Sequence, residues 1–295
     1  MRKFVLFQFV FVLQLASSWS QEVQLKPSPV NWEKVEEAWS GAAELNHYEL
    51  KQARYGEIRK GDAMLIFVRE PFLKEQHVKD ESGRGEFQVL KMNATRDFLT
   101  GVYPYHTLVS VFQPLEKGST GKALKVTTSV QEWCGHVFMQ TNRRDGTLKT
   151  EVNSYFEREE GTSFSSPASV FLEDEIWTGL RVAPSALPVG DIKMVSGSLW
   201  LRFSHQEPKP QAAKAVWKKG SRADTLIYEI SYLKTQRVLA IEIQREVPFG
   251  IESWKESSSK GLLSEGKLTH REVNVDYWNY SQEAEGKRLR SKIGL

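Results

Sequence analysis

The chain has 295 residues, 40% of them hydrophobic and 26% charged, the balance of a folded globular protein and not of a disordered one. With 40 Lys and Arg against 37 Asp and Glu, the net charge is +3, too small to argue for nucleic-acid binding. The single cysteine, Cys134, excludes an internal disulfide and a CxxC metal knuckle.

Arg2 and Lys3 precede an apolar run over residues 4–15, and Ser18 and Ser20 follow as small residues just before Gln21. This order of positive, apolar and small residues predicts a secretory signal peptide over residues 1–20. The apolar run falls short of the roughly 20 residues that a membrane-spanning helix needs, and no later stretch reaches that length. The expectation is therefore an exported chain without a transmembrane segment, placed in the periplasm or otherwise outside the cytoplasm. Residues 21–30 carry Pro27 and Pro29 and read as a leader.

Asn31 or Ser28 can cap a first helix through Trp32 to Ser40, where Trp32, Val35 and Trp39 share one apolar face. From Tyr48 the pattern turns to period two. Residues 48–58 and 63–68 read as strands joined by a hairpin at RKGD, residues 59–62. Residues 87–92 and 106–112 are further strands, and 124–140 is one long extended run. The stretch NRRDG, residues 142–146, is a strong turn from which 148–156 returns antiparallel. A second helix is expected from near Ser166, with Pro167 in its first position, to about Trp177. Six further strands follow: 199–203, 212–217, 226–233, 238–245, 249–254 and 271–278. Residues 279–295 read as a polar tail, basic at RLRSK.

Many short strands with hairpin-length connections predict an α+β fold, mostly antiparallel β, with about two helices. So many strands should form a strongly curved or two-layer sheet, half-barrel-like, with the helices on its concave side. The division expected is a β-rich lobe with an N-terminal helix over 31–165, and a helix plus a second β-rich lobe over 166–278. The two lobes are either separate or one continuous domain.

Glu132, Cys134 and His136 form the most distinctive polar group. Residues two apart on a strand share a face, and Leu124, Val126, Val130 and Phe138 are in phase with all three. Symmetric pairing about the NRRDG turn sets His136 opposite Val152 and Cys134 opposite Ser154, so the trio is expected to point inward. A histidine near a thiol can lower its pKa and make it a nucleophile, or the trio can simply be a hydrogen-bonded part of the core. Tyr103, Tyr105 and His106, around Pro104, make a second aromatic and polar cluster that would suit a pocket mouth. These six residues are the candidate binding site.

The run Gly118–Ser–Thr–Gly121–Lys122 lacks the first glycine and the final Ser/Thr of a phosphate loop. No two of the six histidines lie within four residues, and no HExxH or GxSxG occurs. No metal and no cofactor is expected. Asn93-Ala-Thr95 is a formal glycosylation acceptor.

The stretches QARYGE (52–57), LKMNATRDF (90–98), TGVYPYHT (100–107), QEWCGHVF (131–138), NSYFE (153–157) and EDEIWTGLR (173–181) together resemble exported bacterial proteins commonly labelled "septum formation inhibitor Maf". The likeness covers most of the chain after residue 20. It implies an exported protein. The label alone would imply a nucleotide pyrophosphatase, whose S-x-S-P-R-R-like motif has no counterpart here, so no catalytic residue carries over. The leading expectation is a non-enzymatic envelope protein, binding or structural, with an apolar concavity for a hydrophobic small molecule or lipid. An enzyme using Cys134 and His136 is the alternative, and a pyrophosphatase stands last.

Overall fold

A computed structural model of the chain describes residues 27, 29–82, 84–85, 87–118 and 121–295. The expected signal peptide and most of the leader lie outside the described residues.

The first helix, α1 (Trp32–Ala38), starts where Asn31 Oδ1 accepts from the backbone N–H groups of Glu33 and Lys34, at 3.1 and 3.3 Å. Val35 and Trp39 are buried beneath it. The strands follow: β1 (Ala43–Arg54), β2 (Glu57–Leu73), β3 (Val78–Lys79), β4 (Gln88–Thr100), β5 (Tyr103–Pro114), β6 (Lys125–Glu132), β7 (Gly135–Arg144), β8 (Thr147–Ser154), β9 (Thr162–Pro167) and the short β10 (Phe171–Leu172). Helix α2 (Glu173–Val182) comes next, then β11 (Gly190–Val195), α3 (Ser198–Ser204), β12 (Gln211–Lys219), β13 (Thr225–Tyr232), β14 (Arg237–Gln244), β15 (Ile251–Ser258), β16 (Gly261–Val275) and α4 (Glu283–Lys292).

The fold is α+β with a mostly antiparallel sheet. Fifteen strands pair in the order β10-β11-β12-β13-β14-β15-β16-β1-β2-β4-β5-β6-β7-β8-β9, and β3 pairs with β2 beside that path. Among the described residues only β10 and β11 run parallel. Neighbours in space are almost always neighbours in sequence. Besides β2 against β4, which skips only the short β3, the exception is β16 against β1, a ladder from Ala43 opposite Val275 to Gln52 opposite Ser264. That ladder joins the strands before residue 166 to those after it in one sheet.

Helix α2 packs on this sheet through the fully buried Ile176 and Leu180. Its three buried charges reach far apart: Glu173 to Arg237 on β14, Glu175 to Arg143 on β7 at 2.7 Å, and Arg181 to Glu44 on β1 at 2.7 Å. Among the described residues no helix is long and apolar enough to cross a membrane.

Several expectations need correction. The described residues hold four α-helices, not about two. The first hairpin turns at Tyr55 and Gly56, both with positive φ, and not at RKGD. Gly61 instead lies within β2, where Asp97 O on β4 would come within 2.1 Å of any Cβ; its glycine serves close approach. Residues 162–167 are strand β9, so the second helix begins at Glu173, where the Glu175 carboxylate accepts from Leu172 N at 3.0 Å. Residues 199–203 are helical in α3 because Asp174 Oδ2 takes the N–H of Ser198 at 2.9 Å and His205 closes the far end in left-handed geometry. The C-terminal stretch forms α4, with Ile293 buried on Ala43, Leu45 and Met64.

Candidate functional site

The extended run expected over 124–140 is two strands. Glu132 pairs with Gly135, and Trp133 and Cys134 form a two-residue turn between β6 and β7. A two-residue turn reverses the alternation. Even positions face the core on β6 (Val126, Thr128, Val130), and odd ones do on β7 (Val137, Met139). The next hairpin pairs Met139 with Val152 and Val137 with Ser154, its turn residues Asp145 and Gly146 both having positive φ. That register is three residues from the symmetric one expected, and an odd shift changes the face.

Glu132, Cys134 and His136 are therefore not an inward trio. Cys134 is exposed. Its backbone N–H donates to Glu132 Oε2 at 2.6 Å, and the adjacent carboxylate holds the thiol above its usual range, the reverse of what a nucleophile needs. His136 is exposed and meets Ser129 Oγ at 2.8 Å on the neighbouring strand. The second cluster divides. Tyr105 is buried, its ring stacked on Phe98 at 5.1 Å, and Tyr103 lies beside it at 5.9 Å. Tyr103 also stacks on Trp133 at 6.0 Å. His106 faces the other way, exposed, against Asp97 Oδ1 at 2.6 Å.

Tyr105 leads to a cavity built from residues not expected in it. Its hydroxyl meets Tyr55 Oη at 2.7 Å and accepts from Arg54 Nη2 at 3.2 Å. Arg54 also donates to Phe203 O at 3.1 Å and lies 4.4, 5.3 and 4.8 Å from the ring centres of Tyr55, Tyr105 and Phe203. Arg54, Tyr55, Ile58, Phe203, Lys260 and Leu262 line a vestibule that encloses, with the solvent at its mouth, about 1240 Å³. Arg96, Leu199, Trp200 and Glu256 form its floor and also line a narrow inner chamber reaching Asp174, Trp177 and Trp254.

The floor is positioned by the sheet. Arg96 on β4 sits opposite Ala63 on β2, a side chain small enough for the guanidinium to lie across it. Arg96 Nη1 then reaches Gln52 Oε1 on β1 at 2.8 Å and Ser264 Oγ on β16 at 2.9 Å. Trp254 donates from Nε1 to the same Ser264 Oγ at 2.9 Å, and its ring lies over Gly266, where a Cβ would be 2.1 Å from the indole. Arg237 binds Glu256 Oε1 at 3.2 Å and Glu173 Oε1 at 3.1 Å, and Tyr232 Oη donates to Glu173 Oε2 at 2.5 Å. Burial, with Glu173 adding to it, pushes the Asp174 carboxyl up to about 7. Burial likewise raises Glu256, against the pull of Arg237 and Arg96. The inner chamber is thus a carboxyl-rich core in which Glu173 and Glu256 are paired with Arg237, and the vestibule is the part open to a ligand.

Sequence reasoning missed Arg54, Arg96 and Glu256, although each carries a period-two signal. Arg54 follows Tyr48, Leu50 and Gln52 in phase, Arg96 follows Met92 and Ala94, and Glu256 follows Trp254. A charge at the end of an apolar face is what a site wall looks like in sequence. Comparison with known protein families and with curated proteins finds no match to this chain.

Proposed function

We propose that the chain is an exported cell-envelope protein that binds a lipid-like molecule on the concave side of its sheet, without chemistry of its own. The observation that carries this reading is the vestibule: an open cavity whose apolar wall of Ile58, Leu199, Trp200, Phe203, Leu262 and Leu263 is interspersed with the charged side chains of Arg54, Glu57, Arg96, Glu256 and Lys260. The antiparallel order puts the turns after β1, β4, β6 and β8 at the same end of the sheet as the mouth. Those turns and strand ends expose Tyr55, Leu99, Val102, Trp133 and Tyr155, an apolar rim that suits the exchange of a water-insoluble guest.

The sheet geometry supports a concavity. Strands β14 and β7 stand eight places apart in the sheet order, about 38 Å on a flat sheet at about 4.8 Å per step. Both nevertheless bond to α2, whose ten residues span only about 15 Å. A sheet curled around α2 as a half-barrel satisfies both contacts. Export rests on the order of residues in 1–20 and on the resemblance to exported proteins labelled septum formation inhibitor Maf.

Titration with a fluorescent long-chain fatty acid tests the reading. Saturable binding in the micromolar range, about −8 kcal/mol, is expected, with weaker binding after Leu262→Glu. A protein that is folded by circular dichroism and shows no saturable uptake would overturn it.

A further inference from the structure

Resting on that reading, we infer that the vestibule selects an amphiphile with an anionic oxyanion head group, a carboxylate or a phosphate, held by Arg54, Arg96 and Lys260.

The charges around the vestibule do not cancel where a guest would sit. Its two acidic residues are already committed, Glu57 to Arg59 at 2.7 Å and Glu256 to Arg237 at 3.2 Å. Among the described residues, none of the three cations lining it forms a salt bridge. Arg54 spends its donors on neutral acceptors: two tyrosine hydroxyls and the Phe203 carbonyl. Among the described residues Arg96 donates hydrogen bonds only from Nη1, to an amide and a hydroxyl, and its guanidinium lies 5.4 Å from the Trp254 ring centre. That leaves Nε–H and both hydrogens on Nη2 uncommitted on a guanidinium that forms the vestibule floor. Lys260 stands exposed on the turn between β15 and β16.

A half-buried arginine whose unclaimed donors open on a pocket has its strongest complement in a carboxylate or phosphate, which accepts two parallel N–H bonds. Arg54 is held by three rings and three oxygens, so little conformational entropy is lost when it meets a ligand. Glu256 shares the floor with Arg96 but is paired with Arg237; deeper in, the narrow inner chamber is lined by the acidic Glu173 and Asp174, so the head group stops at the floor. The apolar chain then has Ile58, Phe203 and Leu262 to lie along and the mouth to leave by. A cationic head group would meet three cations and no unpaired carboxylate.

Calorimetric titration of the whole protein with C12 ligands below their micelle concentrations tests this. The ligands are dodecanoate, dodecyl phosphate, the uncharged monododecanoylglycerol and dodecyltrimethylammonium, with acetate and inorganic phosphate as headgroups alone. At least one anionic C12 ligand is expected to bind about tenfold or more tighter than the glycerol ester, and which one does identifies the oxyanion. The headgroups alone should bind far more weakly. Arg54→Gln and Lys260→Gln should each weaken binding of the anionic C12 ligand by a larger factor than they weaken binding of the glycerol ester. Lys260 is on an exposed turn, so its variant keeps the test if Arg54→Gln does not fold. Equal binding of anionic and uncharged C12 ligands, a preference for the ammonium, or headgroups binding as tightly as the amphiphiles would overturn the inference while the lipid reading stands. No binding of any C12 ligand would overturn the lipid reading itself.

Discussion

Asp174 is the side chain in which the chemistry of the inner chamber is most easily measured. Its carboxyl accepts the Ser198 N–H that starts α3, yet burial and the neighbouring Glu173 push it up to about 7 from an ordinary 3.8. Between those two values the folded chain keeps a proton that the unfolded chain has lost. Stability therefore falls as pH rises through that window, and this group adds no further slope above it. Asp174→Asn keeps an oxygen for Ser198 and removes the titration. Thermal melts should show the variant above the parent at pH 8, with the difference shrinking as pH is lowered to 5. A difference independent of pH would mean that Asp174 titrates as an exposed aspartate does. Glu44 shows the opposite sign at the other end of α2. Burial raises it, but the Arg181 guanidinium outweighs that and leaves its carboxyl below its ordinary value. The stability it contributes is present at neutral pH and lost as acid protonates it.

At the scale of strands, several close approaches depend on a glycine, and Gly266 is among the most demanding. It pairs with Trp254 across β15 and β16, and the indole lies where its Cβ would be. Gly266→Ala must displace the ring that anchors Ser264 and, through it, Arg96. The expected cost is about 1–3 kcal/mol, as for overpacking in a filled core. It should appear in urea unfolding together with a changed near-ultraviolet tryptophan spectrum; an unaltered spectrum and midpoint would show that the ring does not pack there. The same scale decides what could be read beforehand. Strands such as 212–217 and 226–233 are clear in sequence because apolar alternation and turn residues agree. The inward reading of Glu132, Cys134 and His136 failed because a Trp-Cys pair makes a two-residue turn without glycine or asparagine at its centre, and one unseen turn inverts every later side chain. Helix α3 was hidden because a single turn-and-a-half of LWLRF has no room to display its period, and its start is set by Asp174, 24 positions away. The vestibule was partly legible: Tyr105 was singled out, whereas its partner Arg54 gains meaning only when β1 is laid beside β2, β4 and β5.

For the whole molecule, the decisive contacts are those that join the two sequence halves. The β1–β16 ladder joins them in the sheet, and α2 joins them a second time through Glu44, Arg143 and Arg237. Arg181 is the most telling of these links. Its side chain is fully buried, pairs with Glu44 at 2.7 Å, donates from Nε to Pro248 O at 2.7 Å, and lies over the rings of Trp39 and Phe67 at 4.9 and 4.3 Å. It thereby ties α1, α2, β1 and the loop before β15 at a single point. Arg181→Met keeps most of the packing but leaves the buried Glu44 carboxylate with only Asn46 Nδ2 at 2.8 Å and the more distant Arg271 at 3.8 Å, which costs about 3–5 kcal/mol. Adding Glu44→Gln removes the orphaned charge, so the double variant should recover much of that loss. Because both halves lean on this point, calorimetry of the parent and of both variants should show one transition moving as a whole. Separate transitions, with only one displaced by Arg181→Met, would show two independently folding lobes. Failure of the double variant to recover would place the stabilisation in packing on Trp39 and Phe67 and not in the ion pair.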